Sequence, residues 1–246
     1  MNILPHRKSK SDLYVSSNGR LVVRDTDYFN ERVRVLLVGD TRESATFIAP
    51  EKRNDLIFEY TKGLNLVLEK VPHIQNTLMI GGAGFSYPKY YISRYPEKRM
   101  DVVEVDAHMV DLAMRYFYLD ELFAEYDLHE NNRLRIIISD GFDYLAACAE
   151  EYDAIFNDAY IGNVPDKDLL SENGVRQIKR CLKRNGVYAL NLITALEGAQ
   201  AMRGIMADAI LKNHFRHVTV FPCTSGRARE EKQNCVIVAS DTDYGF

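Results

Sequence analysis

The sequence has few of the residue pairs from which metal sites and disulfide frameworks are built. Its four cysteines form no C-x-x-C pair, and its six histidines form no H-x-x-x-H pair. Pairs at such spacings are typical of zinc sites, so we expect the protein to hold no metal. Cysteines without regular spacing favour reduced thiols, and we therefore expect a cytoplasmic protein.

Long apolar runs and dense basic clusters are also missing. No apolar stretch approaches the roughly 20 residues that a membrane-spanning helix needs, and "MNILPHRKSKSD" has too short an apolar part for a signal peptide. The formal net charge is -4, and the densest basic cluster is the short "HRKSK". We therefore expect a partner that is neither a membrane nor a nucleic acid.

The first part of the chain shows the apolar alternation of β-strands. In "DLYVSSNGRLVVRD" two alternating segments flank Asn18 and Gly19, a strong signal for a hairpin, and "ERVRVLLVG" predicts a third strand. The stretch "RNDLIFEYTKGLNLVLEKV" then has helical spacing, with Asn54 or Asp55 as a possible N-cap. We group residues 1–72 as a small N-terminal segment, a β-hairpin followed by a helix.

Residues 73–246 alternate short apolar strands with helices. The strands are "TLMIGG", "MDVVEVD", "LRIIISD", "YDAIFND" and "VYALNLIT", and "HVTVFPC" and "NCVIVAS" follow as a closing antiparallel hairpin. Nearly continuous apolar strands separated by helices indicate a parallel sheet covered on both faces. The sequence therefore predicts an α/β fold with a doubly wound, mostly parallel sheet, preceded by a small β-rich segment.

Glycine or acid stands at the end of four of these strands. The positions are the loop at residues 81–84, Glu104, Asp140 with Gly141, and Asp158. In doubly wound sheets, ligands bind beyond the carboxyl ends of the strands, so we expect these residues to share one site. Turn formation or helix capping is the competing explanation for each position taken alone.

The glycine loop "GGAGFSYPKYY" fits an adenosyl ligand better than a dinucleotide. The dinucleotide fingerprint G-x-G-x-x-G would need a third glycine at Tyr87, and a phosphate loop would need Lys-Ser/Thr. Glu104 can accept hydrogen bonds from ribose hydroxyls, and Asp140 is placed to accept one from the adenine amino group. These features predict S-adenosylmethionine or a relative as the ligand.

The same segments resemble the spermidine synthase family, the polyamine aminopropyltransferases, from residue 12 to about residue 239. "MIGGAGFSYPKYY" is similar to the family's glycine-rich loop, "VVEVD" to its V-E-I-D strand end, and "YDAIFNDAYIG" to its Y-D-x-I-x-x-D-S-x-D-P segment. The resemblance implies a fold of the S-adenosylmethionine-dependent methyltransferase type and a homodimer. It also implies a donor, S-adenosylmethionine or its decarboxylated form, and a small amine as acceptor.

The resemblance assigns roles to particular residues. It implies that Asp158 is the catalytic carboxylate. The residues implied for the donor are Gly81, Gly82, Gly84, Glu104, Asp140 and Gly141. The departures from the family concern the amine: Gly84 stands where the family loop has an aspartate, and Ile161 where a second aspartate is usual. Glu59 is a candidate replacement for the missing acid, and Tyr160 for a cation–π contact with the sulfonium.

Three functions stay open at this point. The first is aminopropyl transfer to an amine, with Asp158 as base. The second is methyl transfer on the same scaffold, which the loss of acid at Gly84 and Ile161 favours. The third is nucleoside binding without turnover, against which the presence of Asp158 argues, because a pure binder does not need that carboxylate.

Overall fold

The computed structural model describes residues 11–17, 19–161 and 164–246. The N-terminal strands are β1 Asp12–Val15, β2 Leu21–Tyr28, β3 Glu31–Val38 and β4 Thr41–Phe47. They pair in sequence order as one antiparallel sheet, so β4 is an edge strand. The predicted hairpin and third strand are confirmed, although Asn18 lies outside the described residues. The fourth strand was not predicted.

The first helix, α1 Glu59–Lys70, begins later than the sequence suggested. Asn54 and Asp55 were wrong as N-caps, because a 3-10 turn at Pro50–Lys52 and the extended backbone of Phe58 precede the helix. The helix packs against the large sheet of the core, to which the strands at residues 182–194 and 233–240 belong. The division at residue 72 stays a prediction.

The predicted strands and helices of residues 73–246 are present, and further short helices and strands lie between them. In chain order, the elements are β5 Asn76–Ile80, α2 Ser86–Arg94, β6 Arg99–Glu104, α3 Ala107–Tyr116, α4 Leu119–Glu125, α5 Leu128–Asn131, β7 Leu134–Ile138, α6 Gly141–Ala147, β8 Tyr152–Asn157, β9 Tyr160–Ile161, β10 Val164–Pro165, α7 Glu172–Cys181, β11 Leu182–Thr194, α8 Met202–His214, β12 His217–Pro222 and β13 Gln233–Ser240. The seven-stranded sheet has the order β12-β13-β11-β8-β5-β6-β7. Five strands are parallel, and β13 runs antiparallel to both of its neighbours, which confirms the closing hairpin.

Alternate residues of the central strands enter two separate cores. In β5, Met79 points to the core that α1 and α2 cover, while Leu78 and Ile80 point to the core that α6, α7 and α8 cover. All three side chains are buried. The apolar strands therefore have no solvent-facing side, as a doubly wound sheet requires. Since β6 and β8 flank β5 on opposite sides, the order in which successive strands are added to the sheet reverses at β5. This switch point is where doubly wound sheets bind ligands.

Polar side chains fasten β4 to the helix that follows the glycine loop. Ser44 hydrogen-bonds Ser86 at 2.7 Å, and Ser86 in turn donates to a backbone carbonyl of β4. Lys89, which is 1% exposed, donates to Thr46 Oγ1 and to a carbonyl at residue 53, both at 2.9 Å. Burial lowers the pKa of Lys89 to about 7. These bonds fix the N-terminal sheet above the carboxyl end of β5.

The four cysteines are free thiols, three of them buried. No helix in the described ranges is long and apolar enough to cross a membrane. Within those ranges, no three histidine, cysteine or acidic side chains are grouped as metal ligands.

Candidate active site

A cavity of about 510 Å³ lies beyond the carboxyl ends of β5, β6, β7 and β8. Residues from all four predicted strand ends line it, namely Gly81, Glu104, Asp140 with Gly141, and Asp158. The N-terminal sheet and the start of α1 complete its wall. The structure thus brings together segments that lie up to about eighty residues apart in sequence, as the strand-end pattern predicted.

The glycine loop directly follows β5, and at Gly81 its backbone lies too close to the backbone after β8 for a side chain to fit. Gly81 has φ +92°, and a Cβ on it would lie 2.6 Å from the carbonyl oxygen of Asp158. Gly82 and Ala83 donate their backbone N–H groups to one oxygen of Glu104, at 2.8 and 2.9 Å. Gly81 and Ala83 line the cavity, whereas Gly82 packs against apolar side chains behind it.

Gly84 does not face the cavity. A Cβ at this position would lie 2.5 Å from Ser44 Oγ and 3.3 Å from the ring of Phe117. The loop therefore packs tightly against β4 at Gly84, the position where the resembled family has an aspartate. An acidic side chain does not fit there unless Ser44 moves.

Glu104 and Asp140 hold backbone groups and still border the cavity. The second oxygen of Glu104 accepts from the N–H of Asp106, so its carboxylate receives three backbone hydrogen bonds. Asp106 caps α3, since its side chain accepts from the N–H of His108. Asp140 caps α6 through Oδ1, which accepts from two N–H groups, and Oδ2 accepts no hydrogen bond from the described residues.

Asp158 follows β8 and lies deep in the cavity. Asn191 of β11 donates to its Oδ1 at 2.7 Å, and Asn234 of β13 donates in turn to the Asn191 side-chain oxygen at 3.0 Å. Burial raises the pKa of Asp158 to about 6, although hydrogen bonds from Asn191 and Tyr60 lower it in part. The carboxylate is therefore held in a fixed place and has a pKa close to neutral pH.

Tyr160 and Glu59, the two predicted substrate-binding residues, both line the cavity. The Tyr160 hydroxyl accepts from the N–H of Ile193 at 2.9 Å and donates to a carbonyl of β11 at 3.2 Å, which fixes the ring beside Asp158. Glu59 is half exposed and pairs with Lys62 at 2.9 Å. Ile161 contributes backbone to β9, and residue 162 lies outside the described ranges.

Three further residues of the site were missed in the sequence. They are Glu43, Tyr60 and Asn191, which line the cavity near Asp158. Glu43 lies in the strand that was not predicted, and Tyr60 lies in a stretch whose helical spacing indicated packing and no role in the site. Asn191 could have been found, because it is the one amide in the apolar strand "VYALNLIT".

Comparisons with known proteins agree with this architecture. The sequence model of the spermine/spermidine synthase domain matches residues 59–217. A polyamine aminopropyltransferase of Vibrio vulnificus is 26% identical over 156 residues, which are 62% of this chain and 49% of that protein. The eEF1A lysine and N-terminal methyltransferase of Mus musculus is 28% identical over 126 residues, 47% of this chain and 17% of that protein.

A solved structure extends the likeness to the N-terminal sheet. The crystal structure of a probable spermidine synthase from Corynebacterium glutamicum superposes with a TM-score of 0.74 at 19% identity, covering 98% of this chain and 82% of that one. This likeness shows the fold. The chain matches about half of the aminopropyltransferase's length and a smaller part of the methyltransferase's.

Proposed function

The chain belongs to the spermine/spermidine synthase family, and from that membership we propose that it is a transferase that moves an aminopropyl group from decarboxylated S-adenosylmethionine to an amine. The observation that carries the proposal is the carboxylate of Asp158, held by Asn191 in a cavity that the glycine loop and Glu104 also line. A carboxylate in that place can attract both the sulfonium donor and the ammonium of the acceptor, and it can accept the proton that the acceptor loses.

The transfer is a displacement at carbon. The lone pair of the acceptor nitrogen attacks the aminopropyl carbon that is bonded to the sulfonium. The C–S bond breaks, its electron pair stays on sulfur, and 5′-methylthioadenosine leaves. Asp158 accepts the proton that the bound acceptor ammonium must lose before its nitrogen can attack, and the product leaves as a secondary ammonium.

A raised pKa makes Asp158 a better base for this step. An alkylammonium has a pKa of about 10.4, far above that of an ordinary aspartate. Burial raises the Asp158 pKa from 3.8 to about 6. The difference between the pKa of the acceptor ammonium and that of Asp158 falls by about two units, so the proton transfer costs roughly 3 kcal/mol less. The group is still mostly ionised in the empty cavity at pH 7.5, so it can attract the cationic amine before it takes the proton.

The proposed donor site uses Glu104 and Asp140. Three of the about four lone-pair directions of the Glu104 carboxylate are taken by backbone N–H groups, which leaves one for a ribose hydroxyl. Asp140 keeps Oδ2 for the adenine amino group while Oδ1 caps its helix. We therefore propose one direct bond to the ribose from Glu104, rather than the two that the sequence suggested.

The proposal is tested by supplying decarboxylated S-adenosylmethionine with 1,4-diaminobutane and identifying the products by mass spectrometry. We expect the aminopropylated amine and an equal amount of 5′-methylthioadenosine. Asp158→Asn should lower kcat by about a hundredfold or more, as loss of a general base does, and should leave methylthioadenosine binding intact. Asp120→Asn, an exposed aspartate of α4, is the matched control. Turnover by Asp158→Asn at the wild-type rate would remove the proposed role.

Methyl transfer to an amine is the second candidate. It is favoured by the packing of Gly84 against Ser44, which leaves no room for an aspartate in the loop, and by the similarity to a lysine methyltransferase. Intact S-adenosylmethionine in the same assay distinguishes the two. Production of S-adenosylhomocysteine and a methylated amine would select this candidate, and binding of either donor without any product would indicate a nucleoside-binding protein.

A further inference from the structure

Glu43 enters the cavity from β4 through a β-bulge. Leu36 and Leu37 of β3 are adjacent, yet they pair with Ser44 and Arg42 of β4, so Glu43 is the extra residue on the edge strand. Bulges interrupt the alternation of side chains and occur next to active sites, where they redirect a side chain. Here the bulge lies where the N-terminal sheet borders the cavity, and its Glu43 interacts electrostatically with Asp158.

Among the described residues, the Glu43 carboxylate has neither a hydrogen-bond partner nor a salt-bridge partner. Its Oε1 is buried without a hydrogen bond, and the described residues offer it no ion pair. The neighbouring cation, Arg42, lies over the ring of Tyr28 instead, 5.7 Å from its centroid. Burial and the charge of Asp158 raise the pKa of Glu43 to about 7. A half-buried carboxylate with one oxygen shielded from solvent and no partner lowers stability, so an arrangement that keeps one favours a ligand.

The surroundings of Glu43 suit a cation. Phe58, Tyr60 and Tyr160 line the same cavity, and aromatic faces attract alkylammonium groups. Two carboxylates from different walls, Glu43 and Asp158, give the cavity more negative charge than one reacting amine requires. The glycine loop supplies none of it, because Gly84 is closed against the serine that follows Glu43 in sequence.

We infer that Glu43 is a specificity residue that binds a primary ammonium which does not react, leaving Asp158 to the nitrogen that does. This inference rests on the proposed function. Two parts of the reaction carry such a group: the far end of a diamine acceptor, and the aminopropyl end of the decarboxylated donor. A carboxylate on the donor would be repelled by Glu43 and Asp158, so the same residue disfavours intact S-adenosylmethionine.

Binding experiments test the inference without relying on turnover. In the acceptor arm, protein saturated with 5′-methylthioadenosine is titrated with 1,4-diaminobutane and with n-butylamine, which lacks the second ammonium. In the donor arm, free protein is titrated with decarboxylated S-adenosylmethionine and with methylthioadenosine, which lacks the aminopropyl group. In at least one arm, Glu43→Gln should lower the affinity for the ligand that carries the additional ammonium, 1,4-diaminobutane or decarboxylated S-adenosylmethionine, by about tenfold to a hundredfold, as loss of a charged hydrogen bond does. The affinity for the ligand that lacks this ammonium should not change.

Controls separate a local effect from a structural one. Unchanged methylthioadenosine affinity shows that Glu43→Gln is folded, and Glu43→Asp, which keeps the charge on a shorter side chain, should retain part of the discrimination. Glu51→Gln, an exposed glutamate near the N-terminal sheet, should change neither arm. The inference is overturned if, in both arms, Glu43→Gln lowers the affinity for the two ligands of the pair equally or changes neither affinity. Absence of any product from the wild-type protein, with discrimination that still depends on Glu43, refutes the transferase proposal alone.

Discussion

Replacing Glu43 with glutamine should change the free energy of unfolding more favourably at pH 8 than at pH 5, measured without added ligand. The pKa of Glu43 is about 7 in the folded protein, against 4.5 for an ordinary glutamate. Between these two values the folded state binds more protons than the unfolded state, so stability falls as pH rises through this window. Glutamine carries no charge at either pH and removes that loss.

The magnitude follows from the shift. A rise from 4.5 to about 7 corresponds to about 3 kcal/mol, and because solvent reaches part of the side chain we reduce this to about 1–2 kcal/mol. The facing groups are Asp158, which raises the Glu43 pKa, Tyr60, which stays neutral because burial raises its pKa well above the ordinary value, and Arg42, which lies over an aromatic ring. Asp158 and Tyr60 carry no positive charge, and Arg42 contacts the ring of Tyr28 rather than the Glu43 carboxylate, so no described cation offsets the cost.

The assay is urea unfolding of wild type and Glu43→Gln at pH 5 and pH 8. The free energy of unfolding of the variant, relative to wild type, should be about 1–2 kcal/mol more favourable at pH 8 than at pH 5. Glu51→Gln supplies the control for general charge effects. A relative stability that is the same at both pH values, or greater at pH 5, would refute the statement that the half-buried Glu43 carboxylate has no counter-ion among the described residues.

Three other changes test separate parts of the structure. Asn191→Leu removes the 2.7 Å hydrogen bond that lowers the Asp158 pKa, so the acidic limb of the kcat/KM profile should move to higher pH. Gly84→Ala should cost about 1–3 kcal/mol in unfolding free energy, since its Cβ would lie 2.5 Å from Ser44 Oγ, and adding Ser44→Gly should recover much of that loss. Lys89 has a pKa of about 7 in the folded state against 10.5 for an ordinary lysine, so the stability of wild type relative to Lys89→Met should rise by about 3 kcal/mol from pH 7 to 9.5.

Most of the fold could be predicted because apolar periodicity is directly visible in the chain. The strand at Asn76–Ile80 and the parallel strands after it are short apolar runs between helical segments, and each is present in the structure. Their carboxyl ends meet by topology alone, so Glu104, Asp140 and Asp158 could be placed in one cavity without any knowledge of side-chain contacts. The start of α1 was misplaced, because Asn54 and Asp55 form turns before the helix instead of capping it.

The acceptor side could not be predicted in the same way. The strand Thr41–Phe47 has little apolar alternation, and a bulge interrupts its register at Glu43, so neither the strand nor the direction of that side chain follows from sequence period. Glu59 was chosen as the substitute acid from its place on a helix, yet it pairs with Lys62 at the surface of the cavity. The effect of Gly84 also depended on a contact with Ser44, forty residues away, that only the fold brings about.

The most direct test of the account is calorimetric titration of the purified protein with decarboxylated S-adenosylmethionine, intact S-adenosylmethionine and 5′-methylthioadenosine. The glycine loop, Glu104 and Asp140 predict that all three nucleosides compete for one site, and Glu43 with Asp158 predicts that the decarboxylated donor binds most tightly. Tighter binding of the intact donor would contradict aminopropyl transfer and favour methyl transfer. Binding of none of the three would contradict the adenosyl site on which the account depends.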